Sequence, residues 1–134
     1  MEIVTVLLLE DHEGEARLNQ RLLERSHTVE FRFTSVRTLS EALALLRKTA
    51  FDVLLLDLNL PDSNGIETFD RIQDAAPHLP VVIISAVADD RIAVQCIRNG
   101  AQDYLVKGSI NSELMTRVVR YALARKDYEP VRKK

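Results

Sequence analysis

The chain has 134 residues and a formal net charge of −2, with 46% hydrophobic and 28% charged residues. One domain's length with enough apolar material for a core excludes both a disordered chain and a second conventional domain. The near-balanced charge, 5% aromatic content and lack of Trp remove the electrostatic and stacking footprint on which nucleic-acid binding rests.

From the N-terminus, Ile3-Val4-Thr5-Val6-Leu7-Leu8-Leu9 is almost continuously apolar, the pattern of a strand buried on both faces. It stops at Glu10-Asp11, too short for a signal sequence or a membrane span, so the cytoplasm is the expected location and no membrane insertion is expected. Leu18, Leu22 and Leu23 mark a first helix. Val29-Glu30-Phe31-Arg32-Phe33 alternates apolar with charged residues and reads as a sheet edge. Thr38-Leu39-Ser40-Glu41 has the capping-box spacing, and Leu39, Ala42, Leu43 and Leu46 continue one helical face to the neighbourhood of Thr49. Val53-Leu54-Leu55-Leu56 is a second central strand and runs into Asp57. Asn64 with Glu67 offers the next helix start, followed by Ile66, Phe69 and Ile72 until Pro77 stops the pattern.

Val81-Val82-Ile83-Ile84 is a third central strand, ending at Ser85. Asp89-Asp90 puts acid where a helix N-terminus favours it; Ile92, Cys96 and Ile97 line one face, and Asn99-Gly100 supplies a left-handed stop. Cys96 is the single cysteine, which excludes an internal disulfide and reads as a small packing residue in a reducing cytosol. Tyr104-Leu105-Val106 is a short edge strand. Leu114, Val118, Ala122 and Leu123 mark a last helix with Asn111 or Ser112 as its cap. The basic end, Arg132-Lys133-Lys134, is interrupted upstream by Asp127, Glu129 and Pro130, as expected of a solvated tail.

Strict β-α alternation implies a doubly wound α/β fold, a five-stranded parallel sheet with five helices packed on both faces. Its ligand site belongs beyond the carboxyl ends of the strands. The residues ending the strands are Glu10-Asp11, Asp57, Ser85 and, after Val106, Lys107. Each alone has a plain structural explanation as a cap, a turn former or a surface group. None of these explains why acids end the first and third strands while a hydroxyl and an ammonium end the fourth and fifth. Crowded carboxylates raise one another's proton affinity unless a cation neutralises them. Oxygen ligands without His or Cys favour a hard ion such as Mg2+, and such a site suits phosphoryl oxygens. A carboxylate beside the metal can then act as nucleophile toward phosphorus, giving an aspartyl phosphate. His12, His27 and His78 share no spacing or site and read as surface residues, so no histidine phosphoacceptor is expected.

These residues resemble the receiver domain of two-component response regulators: Glu10-Asp11 after an apolar strand, Asp57-Leu58-Asn59-Leu60-Pro61-Asp62-Ser63-Asn64-Gly65, Ser85-Ala86, and Gly100 through Gly108 around Tyr104 and Lys107. The resemblance implies a flavodoxin-like fold with strand order 2-1-3-4-5, a receiver domain over residues 1–126 and a tail over 127–134. It implies that Asp57 is the phosphoacceptor, that Glu10, Asp11, Asp57 and the Asn59 backbone carbonyl hold Mg2+, and that Lys107 contacts the phosphoryl group. Ser85 and Tyr104 match the switch pair, with Ser85 in place of the commoner Thr. Gly108 departs from the Pro that many relatives carry after the lysine.

The implied partners are a histidine kinase or histidine phosphotransfer protein, and an output partner or a second copy at the surface of the fourth helix, fifth strand and last helix, including Arg91, Asp103 and Arg117. On this reading the chain is a switch and not a turnover enzyme. Two alternatives remain. An aspartyl-nucleophile phosphatase would carry a second acid where Asn59 stands, and a pseudo-receiver would not need the intact acids, Ser85 and Lys107.

Overall fold

A strand made of Ile3 to Leu9 has no polar face for water, so it must be covered on both sides. In the computed structural model, which describes residues 2–26 and 28–128, this strand is central. It is β1 (Glu2–Leu9), flanked by β2 (Val29–Val36) and β3 (Val53–Leu56); the sheet continues through β4 (Val81–Ser85) to β5 (Asp103–Val106). All pairs are parallel and the order is β2-β1-β3-β4-β5, as expected. The edges are β2 and β5, where all but one residue of each strand is exposed or half-exposed, while every residue of β3 and β4 is buried. His27 and the expected tail beyond Tyr128 lie outside the described residues.

Alternate side chains of the sheet enter two separate cores. On one face Val4, Val6, Leu8, Leu55 and Ile84 pack under α1 (Glu13–Glu24) and α5 (Ser112–Tyr128), through Leu22, Leu23, Met115 and Val119. On the other, Leu7, Leu9, Leu54, Leu56 and Ile83 meet α2 (Leu39–Leu46), α3 (Ile66–Ala75) and α4 (Asp90–Arg98), through Ala42, Phe69, Ile72 and Cys96. Each fully buried Leu, Ile or Phe contributes about 1.5–3 kcal/mol, which fixes the register of the central strands. Cys96 is fully buried, and burial pushes its thiol above the usual range.

Several helix signals hold as read. Thr38 Oγ1 accepts the Glu41 N–H at 3.1 Å, Asp89 accepts from Arg91 and Ile92, and Asn111 Oδ1 accepts the Leu114 N–H at 2.8 Å. Others are corrected. α2 ends at Leu46, because the Lys48 N–H shortens its reach to the Leu45 carbonyl, which also accepts the Thr49 N–H, and the regular ladder stops there. Asn64 does not cap α3: Gly65, with φ 71, occupies that position without a side-chain cap, and its N–H closes the preceding loop onto Leu58 O at 3.0 Å. Leu18 and Ile97, expected on buried faces, are 48% and 44% exposed; each lies one helical step from the stripe that packs.

Gly100 ends α4 with φ 116, and a Cβ there would run into the side-chain amide of Gln73. The amide can swing aside, but the backbone conformation stays unfavourable for any other residue. Gly100→Ala is expected to cost about 1–3 kcal/mol. It would appear as a lower denaturant midpoint with an unchanged slope, and an unchanged midpoint contradicts it.

Candidate functional site

Parallel pairing brings the strand ends to one edge. Leu9 is level with Leu56, so Glu10 and Asp57 emerge side by side, and the Asp57 N–H donates to Leu9 O at 2.9 Å. Ser85 is level with Val106, so Lys107 follows it, its N–H donating to Ser85 O at 2.8 Å. Glu10, Asp57 and Ser85 are buried polar residues at 5%, 6% and 1% exposure. Water cannot compensate such groups, so they must satisfy one another.

Lys107 Nζ reaches two of them, 2.7 Å from Glu10 Oε1 and 2.9 Å from Asp57 Oδ2. The remaining oxygens take backbone donors: Glu10 Oε2 accepts the His12 N–H at 3.0 Å, and Asp57 Oδ1 the Asn59 N–H at 2.9 Å. Asp11, half-exposed, joins them; Glu10, Asp11 and Asp57 each offer a carboxylate oxygen, all within 4.8 Å of one another. Three carboxylates therefore cluster where one ammonium pairs with two of them. Burial pushes the Glu10 carboxyl above its ordinary value, an effect that Lys107 and the His12 N–H only partly offset. Lys107 is raised as well, because its hydrogen bonds to Glu10 and Asp57 outweigh its own desolvation.

Ser85 Oγ accepts the Val87 N–H at 3.1 Å, and the Tyr104 hydroxyl donates to Val87 O at 2.7 Å. Both expected switch residues thus hold the backbone of one residue, Val87, in the loop before α4. Val87, Val94 and Ile97 expose apolar side chains on that side of the molecule. Arg117 borders a groove of about 670 Å³ with Arg25 and Ser26 at the end of α1. Gly108 has φ 89, a conformation closed to proline.

The sequence does not reveal three supporting residues. His12 caps α1, accepting the Glu15 N–H on Nδ1 at 3.2 Å, and so leaves Asp11 for the cluster. Arg37 Nη2 donates to Asp11 O at 3.1 Å. Asp62 reads as a turn former, yet its carboxylate takes the Leu39 and Ser40 N–H groups at 2.9 and 3.0 Å. His is an infrequent cap, and the Arg37 and Asp62 contacts join distant segments, so local spacing carries no signal for them.

A doubly wound sheet with an acidic cluster and a half-buried lysine at its carboxyl edge gathers its charged side chains where this class of fold binds ligands. Residues 6–119 match the response regulator receiver domain family. The chain is 35% identical over 119 residues to response regulator protein FleR of Pseudomonas aeruginosa, covering 88% of this chain and 24% of that protein. Among solved structures it is similar to the signal receiver domain of a putative LuxO repressor protein from Vibrio parahaemolyticus, with TM-score 0.83, 28% identity, and 96% and 95% of the two chains covered. It is also similar to the phosphorylated cyanobacterial phytochrome response regulator RcpA, with TM-score 0.70, 25% identity, and 93% and 92% covered.

The chain belongs to the response regulator receiver domain family, the receiver module of two-component signalling. It spans between about a sixth and about a half of the lengths of the first curated relatives it matches. None of the described helices is long and apolar enough to cross a membrane.

Proposed function

We propose that the chain is a phosphorylation-controlled switch in which Asp57 accepts a phosphoryl group from a histidine kinase or phosphotransfer protein. The observation that carries this reading is the Asp57 carboxylate, buried at the strand edge, held by Lys107 and lying within 4.8 Å of the Glu10 and Asp11 oxygens. In the step, an Asp57 oxygen forms a bond to phosphorus as the bond from phosphorus to the donor imidazole nitrogen breaks, and the imidazole leaves with that electron pair. Lys107, freed from one carboxylate oxygen, donates to the phosphoryl oxygens.

An all-oxygen donor set carrying more negative charge than Lys107 neutralises fits a hard divalent cation, so Glu10, Asp11, Asp57 and the Asn59 carbonyl would hold Mg2+. When bound, it supplies positive charge beside the incoming phosphoryl group. Ser85 would turn its hydroxyl toward the new oxygens, give up the Val87 N–H, and release Tyr104 to rotate, altering the surface of α4, β5 and α5. An output partner or second copy would read that surface. RcpA, a relative in phosphorylated form, supports the chemistry.

The test is incubation with a small phosphodonor, with Mg2+ or with excess chelator, followed by intact mass and amide shifts. One phosphoryl addition only with Mg2+, with shifts reaching residues 89 to 106, is the expected result. Equal addition in chelator removes the metal from the reading. Shifts confined to the loops after Asp57 and Ser85 remove the proposed output surface.

A further inference from the structure

The first backbone N–H groups of a helix have no partner within it. In α2 they are divided between two sources. Thr38 takes the Glu41 N–H, whereas the Leu39 and Ser40 N–H groups go to the two oxygens of Asp62, at 2.9 and 3.0 Å. Asp62 stands 23 residues away from Leu39 in the chain, in the loop that carries Asp57 and Asn59 toward α3. Those two N–H groups hold its carboxyl below the ordinary range.

That loop is braced internally. Leu60 and Ser63 bridge across Pro61 and Asp62, the Gly65 N–H reaches Leu58 O, and the Thr68 hydroxyl, bonded to Ser63 Oγ at 2.7 Å, also donates to Leu58 O at 3.0 Å. A displacement of Asp62 is therefore passed toward Asn59. Just before the cap, Arg37 holds the other acidic loop through Asp11 O. The start of α2 thus touches both loops of the acidic cluster, one through a guanidinium and the other through a carboxylate.

From this juxtaposition we infer that Asp62 is a positioning residue: docked on the N-terminus of α2, it sets the separation of the Asp11 and Asn59 loops and so the readiness of the site for Mg2+. The inference rests on the Mg2+ reading proposed above and adds a residue to it that touches none of the reacting atoms. Coupling of this kind is reciprocal, so Mg2+ must in turn steady the docked amides.

Mg2+ titration of the full chain at high ionic strength, in the parent, Asp62→Ala and Asp62→Asn, tests it. Asp62→Ala is expected to weaken Mg2+ about tenfold, the lower end of what outer-lying partners of metal ligands are worth. Asp62→Asn keeps one acceptor oxygen and should fall between it and the parent. In the parent, Mg2+ should slow hydrogen exchange at the Leu39 and Ser40 amides under conditions where they exchange by local opening, faster than the amides of β3 and β4; general stabilisation by a bound ion slows only exchange through global unfolding, so a contact serving stability alone would not move this readout. Affinities within twofold of the parent, equal losses in both variants, or unchanged exchange at both amides overturn the inference. If the parent itself does not bind Mg2+, the functional reading falls; if it binds and the Asp62 variants bind equally, only the positioning role does.

Discussion

Asp57→Asn is expected to abolish phosphoryl uptake, a loss well beyond about 100-fold, while leaving the fold intact. The nucleophile in the proposed step is a carboxylate oxygen whose negative charge Lys107 holds in place, and an amide oxygen is a far poorer attacking group. The variant keeps one local bond, since an Asn side-chain oxygen still accepts the Asn59 N–H that Asp57 Oδ1 takes at 2.9 Å, and Lys107, which loses its acceptor there, retains Glu10 Oε1 at 2.7 Å. It also relieves the crowding of carboxylates, so stability should hold or rise. Neighbouring acids are poor substitutes: Glu10 is 5% exposed, with one oxygen bonded to Lys107 and the other to the His12 N–H. Asp11 is more open, and peptide mapping distinguishes it. Undiminished labelling of the variant, at Asp11 or anywhere else, overturns the assignment of Asp57.

The second large effect is expected in metal affinity. Glu10→Gln with Asp11→Asn removes two of the three carboxylates, and Mg2+ binding should weaken by more than about 100-fold, since outer-lying partners alone are worth ~10–100-fold. Lys107→Ala removes a competing cation instead, and should leave Mg2+ binding intact while uncoupling phosphorylation from the change at α4 and β5. The acidic pair also has a cost that the metal-free protein reveals. Because the folded-state Glu10 carboxyl is raised, the native state binds the proton more tightly than the unfolded chain, and this contribution to stability is lost as pH rises through the raised value. Lys107 is raised too, so its contribution is full below the ordinary lysine range and is lost as pH climbs through its elevated value. At neutral pH without metal, the double variant loses both the burial cost of the Glu10 charge and the Glu10 bond that helps raise Lys107, so its denaturant midpoint should stay close to that of the parent. Identical Mg2+ affinity in the double variant and the parent contradicts the acidic site.

The parts of this molecule that were legible in its sequence are those where a single physical demand dominates. Val53 to Leu56 and Val81 to Ile84 offer no polar face, so they could only be central strands, and the acid or hydroxyl ending each marked the edge where chemistry belongs. Glu10, Asp57 and Lys107 followed from strand endings alone, because parallel pairing leaves them nowhere else to converge. Legibility failed where two candidates differ by one helical step or one residue. Leu18 and Leu22 are equally apolar, and only the position of α5 decides that Leu22 packs. Asn64 is the better cap by side chain, but the loop before α3 needs a left-handed residue, and Gly65 satisfies that backbone demand. Asp62 was hidden for a different reason: its partners belong to another element, and spacing within a segment contains no information about which helix end will stand beside it.

The backbone of Val87 links the two expected switch residues, its N–H to Ser85 and its carbonyl to Tyr104, while its side chain is 44% exposed. On the switch reading proposed above, the link between them is made of backbone, and the identity of the side chain at position 87 is irrelevant to it. Alanine scanning would score this residue as silent, since Val87→Ala keeps both bonds, and a survey of tolerated substitutions would rank it as unimportant. Val87→Pro, which deletes the N–H that Ser85 accepts, is the replacement that exposes it.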